Sequence, residues 1–480
     1  MQDRAGVRIS TRAFVQSALI LLALMLVAGV LTLAVPAGSY TRVESQGRLV
    51  IDPDSYRTIS RPDYPIWRWL TAPIEVLAGP DGLTIITIVV FLLFVGISFA
   101  VLDASGILRA ALVRVVAALG GRKYALLLVV SLFFMLLGAF FGILEEVVPL
   151  VPLVIALSYS LGWDSLVGLG MSILATNVGF SAALTNPFTI GIAQRLAGLP
   201  LFSGAWLRLP IFLVFYAVFS VFLVRYARRV ERDPQSSPVY SEDEPRRSRA
   251  AGFDAGSAQR PMGRAMAWFL VLLALILAVL VSAPFVPALT DYSLPLVGLL
   301  FLLAGLGAGF LSGAGGRAVW QAAGQGMAGI APAIPLILMA ASVKHIVSQG
   351  AVIDTILHGA AQSFAGVGPL AAALGIYALT LLIEFFVGSA SAKAFLLMPI
   401  LLPLADLIGV TRQVTVLAYC FGDGFSNLAY PTNPVLLISL GLTVVSYPKW
   451  IRWTAKLWLW ILLLSIGFLA LAVALGYGPF

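Results

Sequence analysis

The chain has 480 residues, of which 60% are hydrophobic and only 11% are charged, and its formal net charge at pH 7 is +8. Soluble proteins carry about 25% charged residues, so this composition and a mean hydropathy of +0.98 exclude a soluble globular protein. The basic residues are scattered over loops between apolar runs, which argues against nucleic-acid binding. The composition therefore predicts an all-α polytopic membrane protein with the lipid bilayer as its partner.

Sequence motifs narrow the class further. The single cysteine, Cys420, excludes an internal disulfide, and His345 and His358 stand in no metal-ligand motif. The sequence contains neither G-x-x-x-x-G-K-[ST] nor H-E-x-x-H, so it predicts neither an ATP-driven pump nor a zinc protease. We expect no enzyme activity and no cofactor, because no nucleophile with a base and an orienting group can be assigned. The energy source is expected to be a coupling ion, H⁺ or Na⁺, or substrate exchange.

Runs of about 20 apolar residues, enough to cross the roughly 30 Å hydrocarbon layer, recur along the chain. The first run, at 14–36, is longer than the about 7 to 15 residues of a signal-peptide core and is predicted to remain as a helix. Counting two discontinuous spans, we expect about nine membrane spans. The continuous ones are predicted at about 14–36, 82–103, 207–227, 265–284, 291–311, 328–348 and 450–476.

Two helical hairpins and two interrupted helices are predicted between these spans. The hairpins are expected to turn at Gly142 and Gly388. The interrupted helices are expected to break at 177–185 and 421–432, which leaves pieces too short to cross alone. The hairpins lie at 123–161 and 367–408, and the interrupted helices lie at 165–197 and 411–446.

These elements form an internal repeat. Short motifs recur in the same order in both halves, at offsets of 245 to 247 residues. In single-letter code they are FF at 140 and 385, GFS at 179 and 424, and TNP at 185 and 432. The chain is therefore predicted to contain two related halves.

The distribution of Lys and Arg predicts the orientation of these halves. We expect an N-terminal repeat at 1–230, a flexible cytoplasmic linker at 231–264 and a C-terminal repeat at 265–480. Basic residues agree with one path through a bacterial cytoplasmic (inner) membrane, with the N-terminus in the cytoplasm. On that path the two hairpins enter from opposite sides, so the repeats are inverted. The outside loop at 37–80 is expected to hold a strand pair around Gln46-Gly47.

The motifs Thr185-Asn186-Pro187 and Thr432-Asn433-Pro434 have the residue types of helix starts. The free amides and positive dipole end of each half-helix would face the break, which makes an anion site in the middle of the membrane. A kink without a ligand is the alternative. Since the same arrangement occurs twice, we predict that all six residues contribute to substrate binding.

Further polar residues lie at the same breaks. We predict a coupling-ion site at Asp423 and Ser426 with Gly179 and Gly424, because an intramembrane carboxylate is costly and usually functional. A helix-end acid or cap is the alternative for these side chains. The amides of Asn177 and Asn427 are assigned to the substrate site.

The two hairpin tips carry opposite charges. Glu145 and Glu146 follow Gly142, whereas Ser389, Ser391 and Lys393 follow Gly388. One hypothesis pairs Lys393 with a substrate carboxylate and a glutamate with a substrate ammonium or a proton. The alternative is a direct bridge between Glu and Lys that locks the tips together. Lys344, Asp354 and Glu384 are interpreted as solvated anchors near helix ends.

The motifs GILEE at 142–146, NPF at 186–188, SASAKA at 389–394 and GDGFSN at 422–427 together resemble the YfcC-like carriers. These are grouped with anaerobic four-carbon dicarboxylate carriers and candidate basic amino-acid antiporters. The resemblance implies the ion transporter superfamily fold, in which hairpin tips meet broken helices and a scaffold part often forms a homodimer.

These observations predict a secondary transporter, an ion-coupled carrier or exchanger, for a small carboxylate-bearing metabolite. The opposite tip charges favour a basic amino acid, and a dicarboxylate is the alternative. A channel is the rival from a different class, since hairpins and broken helices also build selectivity filters.

Overall fold

The structure is a computed structural model that describes residues 11–45, 48–80, 82–107, 110, 122–251, 262–282, 286, 292–363 and 366–478. Its elements up to the linker are the strands β1 (Gly38–Ser39), β2 (Arg42–Ser45), β3 (Arg48–Ile51) and β4 (Arg57–Thr58), and the helices α1 (Thr11–Ala34), α2 (Arg68–Glu75), α3 (Gly82–Ala104), α4 (Lys123–Leu136), α5 (Val151–Ser160), α6 (Ser165–Leu169), α7 (Ala175–Ala182), α8 (Ile192–Leu196) and α9 (Ala205–Arg232). Single π-helical turns follow α4 at Leu137–Phe141, join α6 to α7 at Gly170–Leu174 and precede α8 at Pro187–Gly191.

The helices of the linker and the C-terminal half are α10 (Tyr240–Ala251), α11 (Gly263–Ser282), α12 (Ser293–Leu311), α13 (Gly316–Ile330), α14 (Ala333–Gln349), α15 (Ile353–Ser363), α16 (Pro369–Glu384), α17 (Ala390–Ile408), α18 (Arg412–Phe425), α19 (Pro434–Gly441) and α20 (Tyr447–Ala474). We call α4 with α5 the first hairpin and α16 with α17 the second hairpin. The helices α6 to α8 form the first broken helix, and α18 with α19 form the second.

Helix length and composition confirm an all-α polytopic membrane protein. Within the described residues, eight helices are long and apolar enough to cross a membrane. The most apolar stretch of the first broken helix, Ser165–Leu196, is completely buried, whereas only 28% of that of α20 is buried. The broken helix therefore lies inside the protein, and α20 presents most of its surface outwards, as a lipid-facing helix does.

Helix α3 packs closely against two helices of the C-terminal half. It packs against α12 and α13, and a Cβ atom at Gly326 of α13 would stand only 2.3 Å from the carbonyl oxygen of Gly96 on α3. Small residues permit this close approach of helices in lipid. The sequence predicted a span at 328–348 only, whereas the helical hydrophobic segment runs over Gly316–Gln349. Helix α13 was missed because its glycines and polar residues lower its hydropathy.

The strand pair predicted in the outside loop is confirmed. Strands β2 and β3 pair antiparallel, with Arg42 opposite Ile51, while Gln46 and Gly47 themselves lie outside the described residues. Asp354, predicted to be a solvated anchor, is 5% exposed. It accepts hydrogen bonds from the Tyr40 amide (2.9 Å) and from the Arg42 guanidinium (3.0 Å). The loop is thereby held onto α15, because a buried carboxylate requires such partners.

Both breaks begin later than predicted. Helix α7 continues to Ala182 and the break occupies 183–186, while α18 continues to Phe425 and the second break occupies 426–433. The glycines that suggested earlier unwinding lie within the helices. A Cβ atom at Gly179 would stand 1.9 Å from the carbonyl oxygen of Met135, so this glycine serves close helix packing against α4.

The linker differs from the flexible segment predicted from its composition, because part of it is helical and docked. The Asp243 carboxylate of α10 is fully buried and accepts hydrogen bonds from the Ser165 amide (2.7 Å) and the Tyr159 hydroxyl (2.7 Å). Lys449 at the start of α20 also contacts Glu242. These contacts attach the linker to the open end of the first hairpin and to the start of the first broken helix. Residues 252–261 of the predicted linker lie outside the described residues.

Candidate functional site

The tip of the first hairpin contacts the break of the first broken helix. The amides of Leu184 and Thr185 both donate to the carbonyl oxygen of Ala139, at 3.0 and 3.1 Å. The Thr185 hydroxyl donates to the carbonyl of Phe140 at 3.0 Å. At the turn, Gly142 has φ of 68°, and a Cβ atom there would stand 2.1 Å from Asn186 Oδ1. The first Thr-Asn-Pro motif therefore lies against the hairpin tip.

Asn186 and Asn433 cap the two resumed helices, as the helix-start motifs predict. The Asn186 carboxamide oxygen accepts from the Phe188 amide (2.9 Å) and the Thr189 amide (3.2 Å). The Asn433 oxygen accepts from the Val435 amide (2.9 Å). Each cap satisfies amides that a helix start leaves unpaired, and the positive dipole end of each resumed helix points at its break.

The second tip is bonded to α18 and lies close to the second break. The Tyr419 hydroxyl of α18 donates to the carbonyl of Ala390 at 2.5 Å. A Cβ atom at Gly388 would lie 3.8 Å from the Asn433 side-chain nitrogen. That nitrogen donates to Asn427 Oδ1 at 2.8 Å, so the second break is internally bonded. Ser389 accepts from the Ala392 amide at 3.4 Å and caps α17.

The two broken helices pack directly against each other. A Cβ atom at Gly424 of α18 would stand 2.4 Å from the Cα atom of Ser181 on α7. Ser181 and Ser426 turn their hydroxyls back onto their own helices, to the carbonyls of Asn177 and Gly422, both at 2.8 Å. Ser426 and Gly424, predicted to belong to a coupling-ion site, are thus placed at a helix contact.

One cavity of about 790 Å³ lies where the tips and breaks converge. The volume is within the range of about 300–1,000 Å³ that is typical of small-molecule sites. Its walls include residues from both hairpin tips, from both broken helices and from α14. Those that the sequence predicted to bind substrate are Glu145, Glu146, Pro187, Ser389, Ser391, Asn427, Thr432, Asn433 and Pro434.

The cavity wall carries both signs of charge. Glu145 is exposed and Glu146 is half-buried, whereas the basic side chains come from Arg195 of α8 and Lys344 of α14. The sequence predicted no role for Arg195, and Lys344 was interpreted as an anchor. The available signal for Lys344 is its position within the predicted span 328–348, because a lysine inside a span is costly unless it faces a cavity or a partner.

Lys393 is placed differently from either hypothesis. Its side chain is 0% exposed, and its ammonium lies 2.7 Å from Asp423 Oδ1 and also contacts the Glu384 carboxylate. Its ion-pair partners are thus Glu384 and Asp423, and the bridge to the Glu145-Glu146 tip is not formed. Glu384 is only 2% exposed, so its interpretation as a solvated anchor is wrong. These three residues lie on three different helices, so no local sequence pattern predicts that they pair.

Asn177 is the remaining predicted site residue and lies deep in α7. It is 0% exposed, and neither the oxygen nor the nitrogen of its amide has a hydrogen-bond partner among the described residues. A buried amide without partners costs about 1–3 kcal/mol. Its assignment to the substrate site stays a prediction, as do the roles of the other site residues.

The fold and the central cavity define an integral, multi-pass membrane transporter, and comparison with known proteins identifies the family. The model of the C4-dicarboxylate anaerobic carriers, DcuC, matches residues 14–474. The chain belongs to this family of carriers, which confirms that it is a transporter and not an enzyme.

Two relatives extend over most of the chain. YfcC of Escherichia coli (strain K12), named as a candidate basic amino acid antiporter, is 30% identical over 468 residues, which cover 89% of this chain and 90% of YfcC. An uncharacterised protein of Haemophilus influenzae (strain ATCC 51907 / DSM 11121 / KW20 / Rd) is 25% identical over 391 residues, 81% of this chain and 76% of its own length. The resemblance to the YfcC-like carriers is thus confirmed.

Two solved transporter structures align with the chain at lower similarity. YdaH of Alcanivorax borkumensis is 22% identical with a TM-score of 0.43, covering 97% of this chain and 99% of that one. MtrF of Neisseria gonorrhoeae, from a class of antimetabolite efflux pumps, is 20% identical with a TM-score of 0.40, covering 95% of this chain and 94% of that one.

Proposed function

We propose that this protein is a secondary active transporter of a small carboxylate-bearing metabolite in a bacterial cytoplasmic membrane, coupled to H⁺ or Na⁺ or working by exchange. A basic amino acid is the proposed substrate. The observation that carries the proposal is the cavity of about 790 Å³, where the acidic tip of the first hairpin and the capped start of α19 border the same space.

The two ends of a basic amino acid match different walls of this cavity. Its carboxylate is recognised by the positive dipole end at the start of α19, next to Pro434, and by the positive charge of Lys344 or Arg195. Its ammonium or guanidinium group is recognised by Glu145 and Glu146. Charges of both signs on the wall of one cavity favour a ligand that itself carries both signs.

A dicarboxylate is the second candidate, because Arg195 and Lys344 supply two cations on the cavity wall. The carriers of this family are described as C4-dicarboxylate carriers. Against it stand Glu145 and Glu146, which repel a purely anionic ligand unless they are protonated.

Counterflow in proteoliposomes tests both candidates. Vesicles loaded with arginine, ornithine or succinate are diluted into trace amounts of the same labelled compound. We expect counterflow with arginine or ornithine, and counterflow with succinate alone would replace the first candidate by the second. Failure of all three contradicts both. Single-channel currents in a planar bilayer would instead favour a channel.

Neutral variants of the acidic tip test the site. Glu145→Gln and Glu146→Gln each remove a charge-assisted contact of about 1.5–3 kcal/mol, so the apparent KM for a basic amino acid should rise about 10- to 100-fold. Asp406→Asn is the matched control, because Asp406 is exposed and pairs with Arg412 outside the cavity. Unchanged uptake in both glutamine variants would rule out the acidic tip as the recognition site.

A further inference from the structure

Glu384, Lys393 and Asp423 form a buried charge cluster beside the cavity. The ammonium of Lys393 contacts the carboxylates of Glu384 and Asp423, the latter at 2.7 Å. Glu384 is 2% exposed, and the other two side chains are 0% exposed. Three elements contribute one residue each, namely α16, α17 and α18.

The charges of this cluster do not balance. Two carboxylates and one ammonium leave one excess negative charge, and an uncompensated charge at a buried membrane position costs several kcal/mol. The neighbouring ionisable side chains on α18 are Tyr419 and Cys420, whose ordinary pKa values lie above physiological pH. The buried guanidinium of Arg208 on α9 donates to Tyr477 and to backbone carbonyls of Leu184, Phe202 and Ser203, and none of these bonds joins it to a carboxylate of the cluster. A bound proton is therefore the simplest neutralising partner.

The fold does not need charges at these positions. At the offsets of the internal repeat, Glu384 corresponds to Ala139 and Asp423 corresponds to Val178. Lys393 corresponds to Val147 or Val148, depending on where the tips are aligned, and both valines are 0% exposed. The first half thus has apolar side chains at all three equivalent positions. Charge retained at only one of two equivalent places indicates a function rather than a packing requirement.

We infer that this cluster is the proton-coupling site of the transporter, that it holds one proton on Glu384 in this conformation, and that it releases and rebinds that proton once per transport cycle. Glu384 is chosen because it borders the cavity, whereas Lys393 and Asp423 do not line it. On release, the proton leaves a Glu384 carboxyl oxygen for water in the cavity, and the carboxylate remains paired with Lys393. H⁺ is favoured over Na⁺ because the Lys393 ammonium already lies between the carboxylates, where a metal cation would bind.

Proton binding can be tested without a transport substrate. Infrared spectroscopy distinguishes the carbonyl stretch of a protonated carboxyl group from a carboxylate. We expect purified protein at neutral pH to show the protonated band, and Glu384→Gln to lose it. Asp406→Asn is the matched control, because Asp406 is an exposed acid that pairs with Arg412 outside the cluster, so this variant should leave the band in place. No protonated band in the wild type, or a band unchanged in Glu384→Gln, would overturn the inference.

Coupling rests on the proposed function and is tested separately. The triple variant Glu384→Ala, Lys393→Val, Asp423→Val copies the apolar first half, and removal of a complete buried ion pair is often tolerated. We expect accumulation driven by a pH gradient to be lost, whereas counterflow of arginine or ornithine, which needs no net proton movement, remains measurable. If the triple variant does not fold, Glu384→Gln is tested in the same way. Accumulation that persists in the folded variant overturns the coupling role. Absent counterflow in the wild type counts against the proposed function alone, and the infrared band still decides the proton site.

Discussion

Gly142 and Gly388 turn the two hairpins, yet only Gly142 has a backbone conformation that excludes other residues. Its φ is 68°, and a Cβ atom would stand 2.1 Å from Asn186 Oδ1. Gly388 has no positive φ, and the nearest atom to a Cβ there is 3.8 Å away. The sequence predicts both turns from the same residue type. It does not reveal that only Gly142 is required for the close approach of its tip to the break.

Alanine at the two tips should therefore have unequal effects. Gly142→Ala imposes a left-handed conformation on a residue with a Cβ atom, at a cost of about 1–3 kcal/mol, and also displaces the Asn186 cap. We expect a lower midpoint of thermal unfolding in detergent for Gly142→Ala. The midpoint of Gly388→Ala, the matched control, should stay close to that of the wild type. Equal midpoints for the two variants would contradict the contact between Gly142 and Asn186.

Residue types predict caps and turns well because these depend on neighbouring atoms in the chain. Asn186 and Asn433 cap helices as expected, since an amide before Pro in an apolar segment has few other structural uses. The partners of Lys393 could not be predicted, because Glu384 and Asp423 reach it through the packing of three helices. Long-range charge pairing requires tertiary structure, and sequence alone suggested the tip glutamates as the nearest plausible partners.

At the scale of elements, apolar runs predict the continuous helices. Composition predicts the wrong structure where a helix is stabilised by specific contacts and not by its hydropathy. Helix α13 is held against α3 through Gly96 and Gly326 despite its low hydropathy. The Ser, Pro, Arg and Glu content of the linker predicts disorder, yet its helix α10 is docked through Asp243. In both cases a few specific contacts compensate for a weak local signal.

Docking of α10 should depend on pH. Burial raises the pKa of Asp243 to about 6, despite hydrogen bonds from Ser165 and Tyr159 that lower it, with the nearby Asp164 adding to the increase. The docked state thus holds a proton more tightly than the undocked state. The contribution of the Asp243 proton to docking is fully present below about pH 4 and is lost as the pH rises through 6. The loss amounts to about 3 kcal/mol in all, because the pKa shift is about two units.

Hydrogen exchange at the start of α6 measures this docking. The Ser165 amide, which donates to Asp243, should lose protection between about pH 5 and pH 8 once intrinsic exchange rates are corrected for. Asp243→Asn replaces the acid by a group that does not titrate, so its protection should be the same at both pH values. A pH-independent protection in the wild type, or the same dependence in Asp243→Asn, would contradict the assignment to Asp243.

At the scale of the whole molecule, the two halves repeat one arrangement of tip against break but differ in how they use charge. The first tip presents Glu145 to the cavity, whereas the second tip withdraws Lys393 into a cluster with Glu384 and Asp423. The open ends of the hairpins also have different neighbours. Lys123 of the first contacts Glu231, the first residue of the linker, and α17 of the second packs against β3 of the loop at 37–80. If the linker and the loop lie on opposite sides of the membrane, the two hairpins therefore open to opposite sides.

Cysteine labelling tests that sidedness directly, because the single native cysteine, Cys420, is buried and should stay unlabelled. Gln235→Cys in the linker and Ser60→Cys in the loop place reactive thiols at exposed positions. In intact cells, a membrane-impermeant maleimide should label Ser60→Cys and reach Gln235→Cys only after permeabilisation, because the basic residues around the linker predict that it lies in the cytoplasm. Leu407→Cys, at 87% exposure near the open end of the second hairpin, should behave like Ser60→Cys. Labelling of Gln235→Cys and Leu407→Cys from the same side would end the inverted-repeat interpretation, since both hairpins would then open to one compartment.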